Sequence, residues 1–533
     1  MKKIFFSLCL FAVMPAVTVN AQNKLDGKIL KIDFQNGVSE RRSSNIHLSS
    51  QGISISSSIS LLSVERAIAH AATDKKIALI LLNTDGLQVN GIASLEELRK
   101  SLEQFKSSGK KVISYSTSYS NASYYLASVA DMAVFNPAGT VTISGLSSIT
   151  YYVKDLLDTA GVQVQLIRHG KYKSAGETYI SNEMSSENRQ QTEIMLGSIW
   201  ESMCAEISAS RNLDSGKFSS LVDSLALSNA EDMLANNLVD TLMYRDGIEN
   251  WLCSTFGVEK PTSIPKVSLS EYISGLKKGP ASKKIAVIFA DGEIREDGPV
   301  GIKFSQQIAE AKADSTVKTV VFRINSPGGT VSVSEFISRE IETMRKVKPV
   351  VASYGNYAAS GGYWISCDAD RIFTDNSTIT GSIGVFSLVL NVGNAIKENL
   401  YINPVTVSTN KHGSMYSGLR NLDNDEKEYE GRIVDNYYSK FISRVASCRG
   451  MSKEAVDSLG QGRVWTGVDA IGNGLADERG TVLDAVRYAA SLVNLDKYRI
   501  VYYPIKKSGL SALFNVPESP LVMARMPYDI DIK

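Results

Sequence analysis

An internal repeat is the feature of this sequence that most restricts its possible folds. The stretch 110–145 resembles 348–384, and an ungapped alignment from the aromatic pairs "YY" and "YW" onward matches Gly145 with Gly384. A similar pair, "KKIALILLNTDG" and "VKTVVFRINSPGG", precedes these stretches, and "ANNLVD" and "GNGLAD" follow them. Three matches in the same order indicate a tandem duplication, which also suits a chain of 533 residues.

Each copy of the repeat alternates strand and helix patterns. An opening apolar strand is followed by an amphipathic helix, a buried strand ending in a polar turn, a second helix and a further strand. Such alternation predicts parallel sheets with right-handed crossovers, so the expected fold class is α/β. The helices predicted in matching places span residues 63–72, 94–106 and 185–211 in the first copy, and 305–313, 332–347 and 423–446 in the second.

The repeat also sets the expected domain boundaries. We predict an N-terminal repeat at residues 26–257 and a C-terminal repeat at 284–495. Residues 258–283 contain three prolines and several glycines and serines, which is typical of a linker. Residues 496–533 are expected to form a C-terminal tail.

Residues 1–21 have the pattern of an export signal. Two lysines precede an apolar run from Ile4 to Val19, and the small-residue sequence "VNA" follows as a cleavage site. If it is not cleaved, the run is short for a spanning helix and is interrupted by Pro15, but it could still act as a membrane anchor. In both cases we expect the body of the protein in the cell envelope, either soluble in the periplasm or held at the inner membrane and facing the periplasm.

Composition excludes several partners. A formal net charge of +1 with 21% charged residues argues against a nucleic-acid binder or a polybasic membrane surface. The cysteines show no CxxC or Cys/His cluster, so nothing in their spacing predicts a metal site. We expect most of them to be core residues; they occupy positions 9, 204, 253, 367 and 448.

Ser360, within "YAASGGYWIS", is the candidate nucleophile. The repeat places Asn121 opposite it, so a fold common to both copies does not require the serine. Small neighbours allow a sharp turn from strand into helix, and the helix N-terminus offers free N–H groups to an oxyanion. We expect Gly361 to supply one donor, and Gly328 or Gly329 of "NSPGG" the second. The structural alternative is that Ser360 merely caps the helix.

A serine nucleophile needs a base, and lysine is the better candidate here. The four histidines, at 47, 70, 169 and 412, offer few options, and the last two lie in loop-like sequence. Burial lowers the pKa of a lysine towards neutrality and so makes its amine a usable base. "GKYKSAGE" supplies Lys171 and Lys173, and the second copy has no lysine opposite Lys173. These residues alone do not separate the two lysines, and both could simply be solvated.

The motifs "GKYKSAGE", "INSPGG", "AASGGYWIS" and "TGSIGVF", with the duplication and the export signal, resemble the signal peptide peptidase A family in its long, two-repeat form. The resemblance covers nearly the whole chain after the signal. It implies a ClpP/crotonase-like fold in each repeat and a serine/lysine peptidase that needs no cofactor. It further implies a homotetramer on the outer side of the inner membrane, with cleaved signal peptides as substrates.

The resemblance also assigns roles to residues. It makes Ser360 the nucleophile and Lys173, not Lys171, the general base. Ser382 of "TGSIG" matches a serine that hydrogen-bonds the lysine, and "SPGG" matches the oxyanion region without deciding which glycine donates. Family members of this form usually keep an uncleaved N-terminal anchor, whereas "VNA" here is typical of a cleaved signal.

Two other functions fit parts of the sequence. A crotonase-like acyl-CoA enzyme would share the fold, but it would not need a Ser/Lys pair and is not normally exported. A non-catalytic envelope scaffold would explain the duplication, and it predicts that replacing Ser360 or Lys173 leaves function intact. The preferred cleavage residues, the true oligomeric state and the removal of the signal stay open at this level.

Overall fold

The computed structural model describes residues 24–280 and 282–503 apart from 43, 50 and 51. The predicted signal or anchor lies outside these residues, as do most of the predicted tail and the side chain of His47. No helix within the described ranges combines the length and the apolar character that a membrane crossing needs.

The first half of the chain alternates strands and helices. A 3-10 turn at Pro261–Ser263 precedes its last strand. In chain order the other elements are β1 (Lys28–Asp33), β2 (Val38–Ser39), β3 (Ser44–Ser49), β4 (Gly52–Ser57), β5 (Ile59–Ser60), α1 (Leu61–Thr73), β6 (Ile77–Asn83), α2 (Ile92–Lys106), β7 (Lys111–Ser120), α3 (Asn121–Ala127), β8 (Met132–Thr142), α4 (Lys154–Thr159), β9 (Gln163–His169), α5 (Glu177–Ile180), α6 (Ser186–Arg211), α7 (Lys217–Asp223), α8 (Ala230–Ala235), β10 (Thr241–Leu242), α9 (Arg245–Phe256), β11 (Lys266–Ser268) and α10 (Leu269–Gly275).

The second half repeats this plan. Its elements are β12 (Lys284–Asp291), α11 (Ile302–Ala313), β13 (Val317–Ser326), α12 (Val331–Arg345), β14 (Val350–Ala359), α13 (Gly361–Trp364), β15 (Arg371–Thr374), β16 (Ile379–Gly381), β17 (Val385–Asn391), α14 (Gly393–Leu400), α15 (Asn424–Arg449), α16 (Lys453–Leu459), β18 (Val464–Thr466), α17 (Gly467–Gly472), β19 (Glu478–Arg479), α18 (Val482–Leu492) and β20 (Arg499–Tyr503). All six predicted helices are present, with ends shifted by a few residues.

Each half is built on its own largely parallel sheet. The strand order is β10-β8-β7-β6-β1-β11 in the first half and β18-β16-β14-β13-β12-β20 in the second, where β15 pairs beside β14. The triplets β7-β6-β1 and β14-β13-β12 occupy matching places, and every pair within them is parallel. The α/β class is confirmed, and the matching orders are consistent with the predicted duplication.

Helices cover both faces of the sheets, which explains the unbroken apolar strand patterns. In β12, six consecutive residues are buried. Ala286 and Ile288 join the core beneath α11 and α12, whereas Ile285 and Val287 pack with residues of α18. Leu62 of α1 enters this second core as well, so the two halves share buried apolar surface.

Two segments differ from the expectation of a linker and a tail. Within 258–283, β11 extends the first sheet, pairing Ile29 with Lys266 in parallel. Within 496–533, β20 extends the second sheet, pairing Lys284 with Arg499. Both strands supply hydrogen bonds to an otherwise open sheet edge. The three prolines of residues 258–283 lie outside β11. The amino-acid composition of this segment is therefore typical of a linker even though the segment contains a short edge strand.

The halves are joined by a strand pair and by a buried ion pair. β9 of the first half runs antiparallel to β17 of the second. The Arg323 guanidinium on β13 donates to Glu40 at 2.8 Å and to Glu97 of α2 at 2.5 Å. All three side chains are buried, and Glu97 also accepts the N–H of Val482 at 2.7 Å. These contacts hold the first half against the second.

Candidate active site

Ser360 occupies a strained turn between β14 and α13. Its φ of 54° and ψ of −117° lie in a region that residues with a side chain seldom adopt. Such a conformation costs about 1–3 kcal/mol and persists only where the surroundings impose it. Here the Ser360 N–H donates to the Gly381 carbonyl at 2.8 Å, and the side chain stays half-buried at the start of the helix. The turn thus exposes one hydroxyl beside free helix N–H groups.

The first half does not build the same turn, contrary to the simplest expectation from the repeat. Ser120 caps α3 in an extended conformation with a φ of −102° and a reciprocal hydrogen bond to Ser123. Asn121 then lies inside the helix, and its Oδ1 accepts the N–H groups of Ser144 and Gly145, each at 3.1 Å. Of the two aligned positions, only Ser360 has a positive φ, so the shared fold does not require the strained geometry.

Lys173 reaches this serine from the first half. It follows β9, its side chain is only 3% exposed, and its Nζ lies 3.2 Å from Ser360 Oγ. Nζ also lies 2.9 Å from Ser382 Oγ and 3.2 Å from the Ser382 carbonyl oxygen. Burial lowers the pKa of the Lys173 ammonium from its ordinary value of 10.5 to about 7. Its hydrogen-bond partners are hydroxyl and carbonyl groups, so no partner carboxylate favours the charged form.

The structure distinguishes the two lysines that the sequence left open. Lys171 is exposed, and its ammonium lies 5.1 Å from the centre of the Tyr172 ring. Lys173 turns inward towards the second half. Ser382 has a positive φ of 49°, and its N–H donates to the Arg463 carbonyl at 2.7 Å, which holds its hydroxyl beside the amine.

The segment that holds Lys173 was not recognised from the sequence. A Cβ added at Gly462 would lie 2.5 Å from the Lys173 Cβ, so only glycine allows this approach. Tyr172 N–H donates to the Gln461 carbonyl at 2.9 Å, and Arg168 Nη1 donates to the Lys173 carbonyl at 2.8 Å. The run "GQGR" signals a turn, but nothing in it indicates which distant segment packs there.

The glycines proposed for the oxyanion site lie together. A Cβ added at Gly361 would lie 3.2 Å from the Gly329 nitrogen, and one at Gly328 would lie 2.8 Å from the Gly361 nitrogen. The Gly328 N–H donates to Ser326 Oγ at 3.2 Å. No hydrogen bond between described residues uses the N–H of Gly329 or Gly361. The pair of free donors is therefore Gly361 with Gly329, and Gly328 shapes the turn.

The described histidine side chains are engaged elsewhere. Their Nδ1 atoms bond Tyr272, Asp435 and Glu426, from His70, His169 and His412 respectively. His412, Asp423 and Glu426 offer ligand atoms within 4.8 Å of one another. However, the Arg420 guanidinium binds Glu426 at 2.6 Å and 2.7 Å, and Glu426 also completes the N-terminal cap of α15. Arg420 thus already balances the charge of Glu426, and no hydrogen bond between described residues joins the cluster to Ser360 or Lys173.

Comparison with known proteins places the chain among peptidases. The profile of the family described as Peptidase family S49 matches residues 104–259 and 342–496. Protease 4 of Haemophilus influenzae is 34% identical over 462 residues, covering 82% of this chain and 73% of that protein. Serine protease SPPA, chloroplastic, of Arabidopsis thaliana is 28% identical over 484 residues, covering 88% and 70%. The putative signal peptide peptidase SppA of Enterococcus faecium is 30% identical over 247 residues, covering 44% and 72%.

These matches, with the α/β fold, define the class: the protein is a serine-type peptidase. More particularly, the chain belongs to peptidase family S49, whose profile matches once in each half. The predicted resemblance and the predicted class of enzyme are both confirmed.

Proposed function

We propose that Ser360 and Lys173 form a catalytic dyad that hydrolyses peptide bonds. One observation carries the proposal: a buried lysine amine lies 3.2 Å from a serine hydroxyl held in a strained strand-to-helix turn. A general base must lie within hydrogen-bond reach of the proton it removes and must be unprotonated near the working pH. The distance meets the first condition, and the lowered pKa of Lys173 supports the second.

The proposed reaction is acyl transfer in two steps. The neutral Lys173 amine takes the Ser360 proton while Oγ attacks the substrate carbonyl, and the N–H groups of Gly361 and Gly329 stabilise the oxyanion. Lys173 then gives the proton to the leaving amine, which departs and leaves an acyl-enzyme. Water, deprotonated by the same amine, hydrolyses the ester and restores Ser360. Ser382 orients the amine through its hydroxyl and carbonyl oxygens.

The substrates we propose are cleaved signal peptides and similar apolar segments in the cell envelope. The name of the Enterococcus faecium relative and the export pattern of residues 1–21 support this class and this location. We further propose that each repeat is a ClpP/crotonase-like domain, that the body faces the periplasm, soluble or held at the inner membrane, and that the protein acts as a homotetramer.

The test uses a synthetic peptide with the apolar sequence of residues 4–19. Purified protein is expected to cleave it, with products identified by mass spectrometry. Ser360→Ala is expected to lower kcat at least about 1,000-fold without a change in fold, because the nucleophile is gone. Ser458→Ala, an exposed serine on α16, is the matched control and should keep full activity. Undiminished cleavage by Ser360→Ala would refute the dyad, and a scaffold function predicts no cleavage by either protein.

A further inference from the structure

Lys173 lies in a short loop, so the position of its amine depends on how firmly the main chain of that loop is held. The loop runs from the end of β9 at His169 to the start of α5 at Glu177. A lysine side chain is a flexible four-carbon stem, and a catalytic group misplaced by about 1 Å can lose about 100-fold in rate. The peptide groups beside Lys173 therefore need fixed partners.

The peptide group before Lys173 is bound by Gln191 of α6. The Gln191 side chain is only 2% exposed, and its Nε2 donates to the Tyr172 carbonyl at 3.0 Å. Nε2 also lies 3.1 Å from Asn188 Oδ1 and 3.4 Å from Ser174 Oγ. The Gln191 amide thus contacts the residue before Lys173 and the residue after it.

The oxygen of the same amide reaches the second half of the chain. Gln191 Oε1 accepts the N–H of Val464 at 3.3 Å. Val464 begins β18 and stands opposite Gly381 in the antiparallel pairing of β18 with β16. The Gly381 carbonyl accepts the Ser360 N–H at 2.8 Å. One buried amide therefore connects the main chain beside Lys173 with the strand pair that supports Ser360.

A carboxamide is the side-chain group that suits both contacts. The Tyr172 carbonyl needs a donor, the Val464 N–H needs an acceptor, and glutamine carries both at the end of one side chain. A buried polar group that loses its partner is costly, because it gives up its hydrogen bond without regaining one from water. Loss of the amide is therefore expected to shift the loop or to admit water beside Lys173.

The second copy of the repeat does not keep this residue. α6 and α15 each have 26 residues, and each begins after a capping side chain, that of Ser185 or of Asp423. Gln191 is the sixth residue of α6, whereas the sixth residue of α15 is Tyr429, which is 47% exposed. The shared fold thus does not require a buried amide at this position.

We propose that Gln191 is a positioning residue of the peptidase, whose amide sets the distance between the Lys173 amine and the Ser360 hydroxyl by joining Tyr172 to β18. This inference rests on the dyad proposed above and adds a residue that touches neither substrate nor the reacting atoms. Gln191 acts through Lys173, so its loss should change the behaviour of the base and leave substrate binding nearly unchanged.

The variant Gln191→Met tests the proposal, because methionine has a similar length and shape but no amide. With the apolar peptide of residues 4–19, kcat is expected to fall about 10–100-fold while KM stays within about twofold. The pH midpoint of kcat/KM, expected at about 7 in the wild type, should also rise by about half a unit or more. Burial, and not a charged neighbour, lowers the pKa of Lys173, so water entering beside the amine moves it back towards its ordinary value.

The matched control is the same replacement one residue earlier. Gln190 is exposed, and its Oε1 accepts from the Tyr172 hydroxyl at 3.3 Å, a contact that leaves the Tyr172 carbonyl untouched. Gln190→Met is expected to keep the kcat and the pH midpoint of the wild type. Gln191→Asn provides a second variant, since its shorter amide can keep one main-chain partner; its losses should be smaller than those of Gln191→Met.

Two results would overturn the proposal in folded protein, as judged by circular dichroism. One is a kcat of Gln191→Met within about twofold of the wild type, and the other is a lower kcat with an unmoved pH midpoint. If neither Gln191→Met nor Gln191→Asn folds, Gln191 serves the fold and the proposal also fails. Failure of the dyad is recognised separately, because Lys173→Met would then cleave the peptide as fast as the wild type.

Discussion

Replacing Lys173 by methionine tests directly whether burial lowers the pKa of its amine. We expect Lys173→Met to change the free energy of unfolding in a pH-dependent way. The pKa of Lys173 is about 7 when folded and takes its ordinary value of 10.5 when unfolded. Between these values the unfolded chain binds more protons than the folded one, so the stability of the wild type rises with pH. Each pH unit in that window is worth about 1.4 kcal/mol.

The size of the expected change in unfolding free energy follows from the two pKa values of Lys173. Holding the amine neutral costs the wild type about 4 kcal/mol at pH 7 and about 2 kcal/mol at pH 9. Methionine has no such cost, and the hydrogen bonds it lacks contribute nearly equally at both pH values. The stability of the wild type relative to Lys173→Met should therefore rise by about 2 kcal/mol between pH 7 and pH 9.

Urea unfolding at the two pH values measures this difference, and Lys171→Met is the matched control. Lys171 is exposed, so its replacement is expected to give the same change in stability at both pH values. A Lys173→Met difference that stays constant within about 0.5 kcal/mol, below the roughly 2 kcal/mol expected, would mean that the folded amine titrates like a solvated one. The proposed base would then have no physical support.

Three further predictions concern rate and stability. The kcat/KM for an apolar peptide should rise with pH through about 7 and reach about one tenth of its plateau at pH 6, because only neutral Lys173 accepts a proton; a flat profile from pH 6 to 9 contradicts this. Ser382→Ala should lower kcat by about 100-fold with KM nearly unchanged, since the amine loses a 2.9 Å partner; steady-state kinetics that show only a KM effect would reject the orienting role. Arg323→Leu should destabilise the fold by about 3–5 kcal/mol in urea unfolding by leaving Glu40 and Glu97 buried without their cation; a neutral effect would show that the ion pair does not hold the halves together.

Most of the fold could be predicted from the periodicity of apolar residues in short stretches of the sequence. Strand and helix periodicity is a property of short windows, and the six predicted helices lie within a few residues of their expected positions. The edge strands β11 and β20 escaped prediction because each is short and gains its hydrogen bonds from a neighbour distant in sequence. Strand pairing of that kind depends on tertiary position more than on composition.

The site could be predicted only in part. Comparing the two repeats singled out Ser360, because Asn121 stands opposite it. The strain at Ser360 could not be foreseen, since the alignment implied one turn shared by both halves. The burial that separates Lys173 from Lys171 depends on Gly462, which packs on it from the other half of the chain. The catalytic roles of these residues stay predictions until the variants are measured.

Because the two halves of the chain each supply one member of the proposed dyad, the site can form only late in synthesis and folding. Lys173 is synthesised well before Ser360, and neither half by itself contains both members of the proposed dyad. Peptide cleavage would begin only once the second half has folded against β9 and the Arg323 ion pair has formed. A growing chain, and any unfolded protein beside it, would thus not be cleaved before the second half of the enzyme has folded.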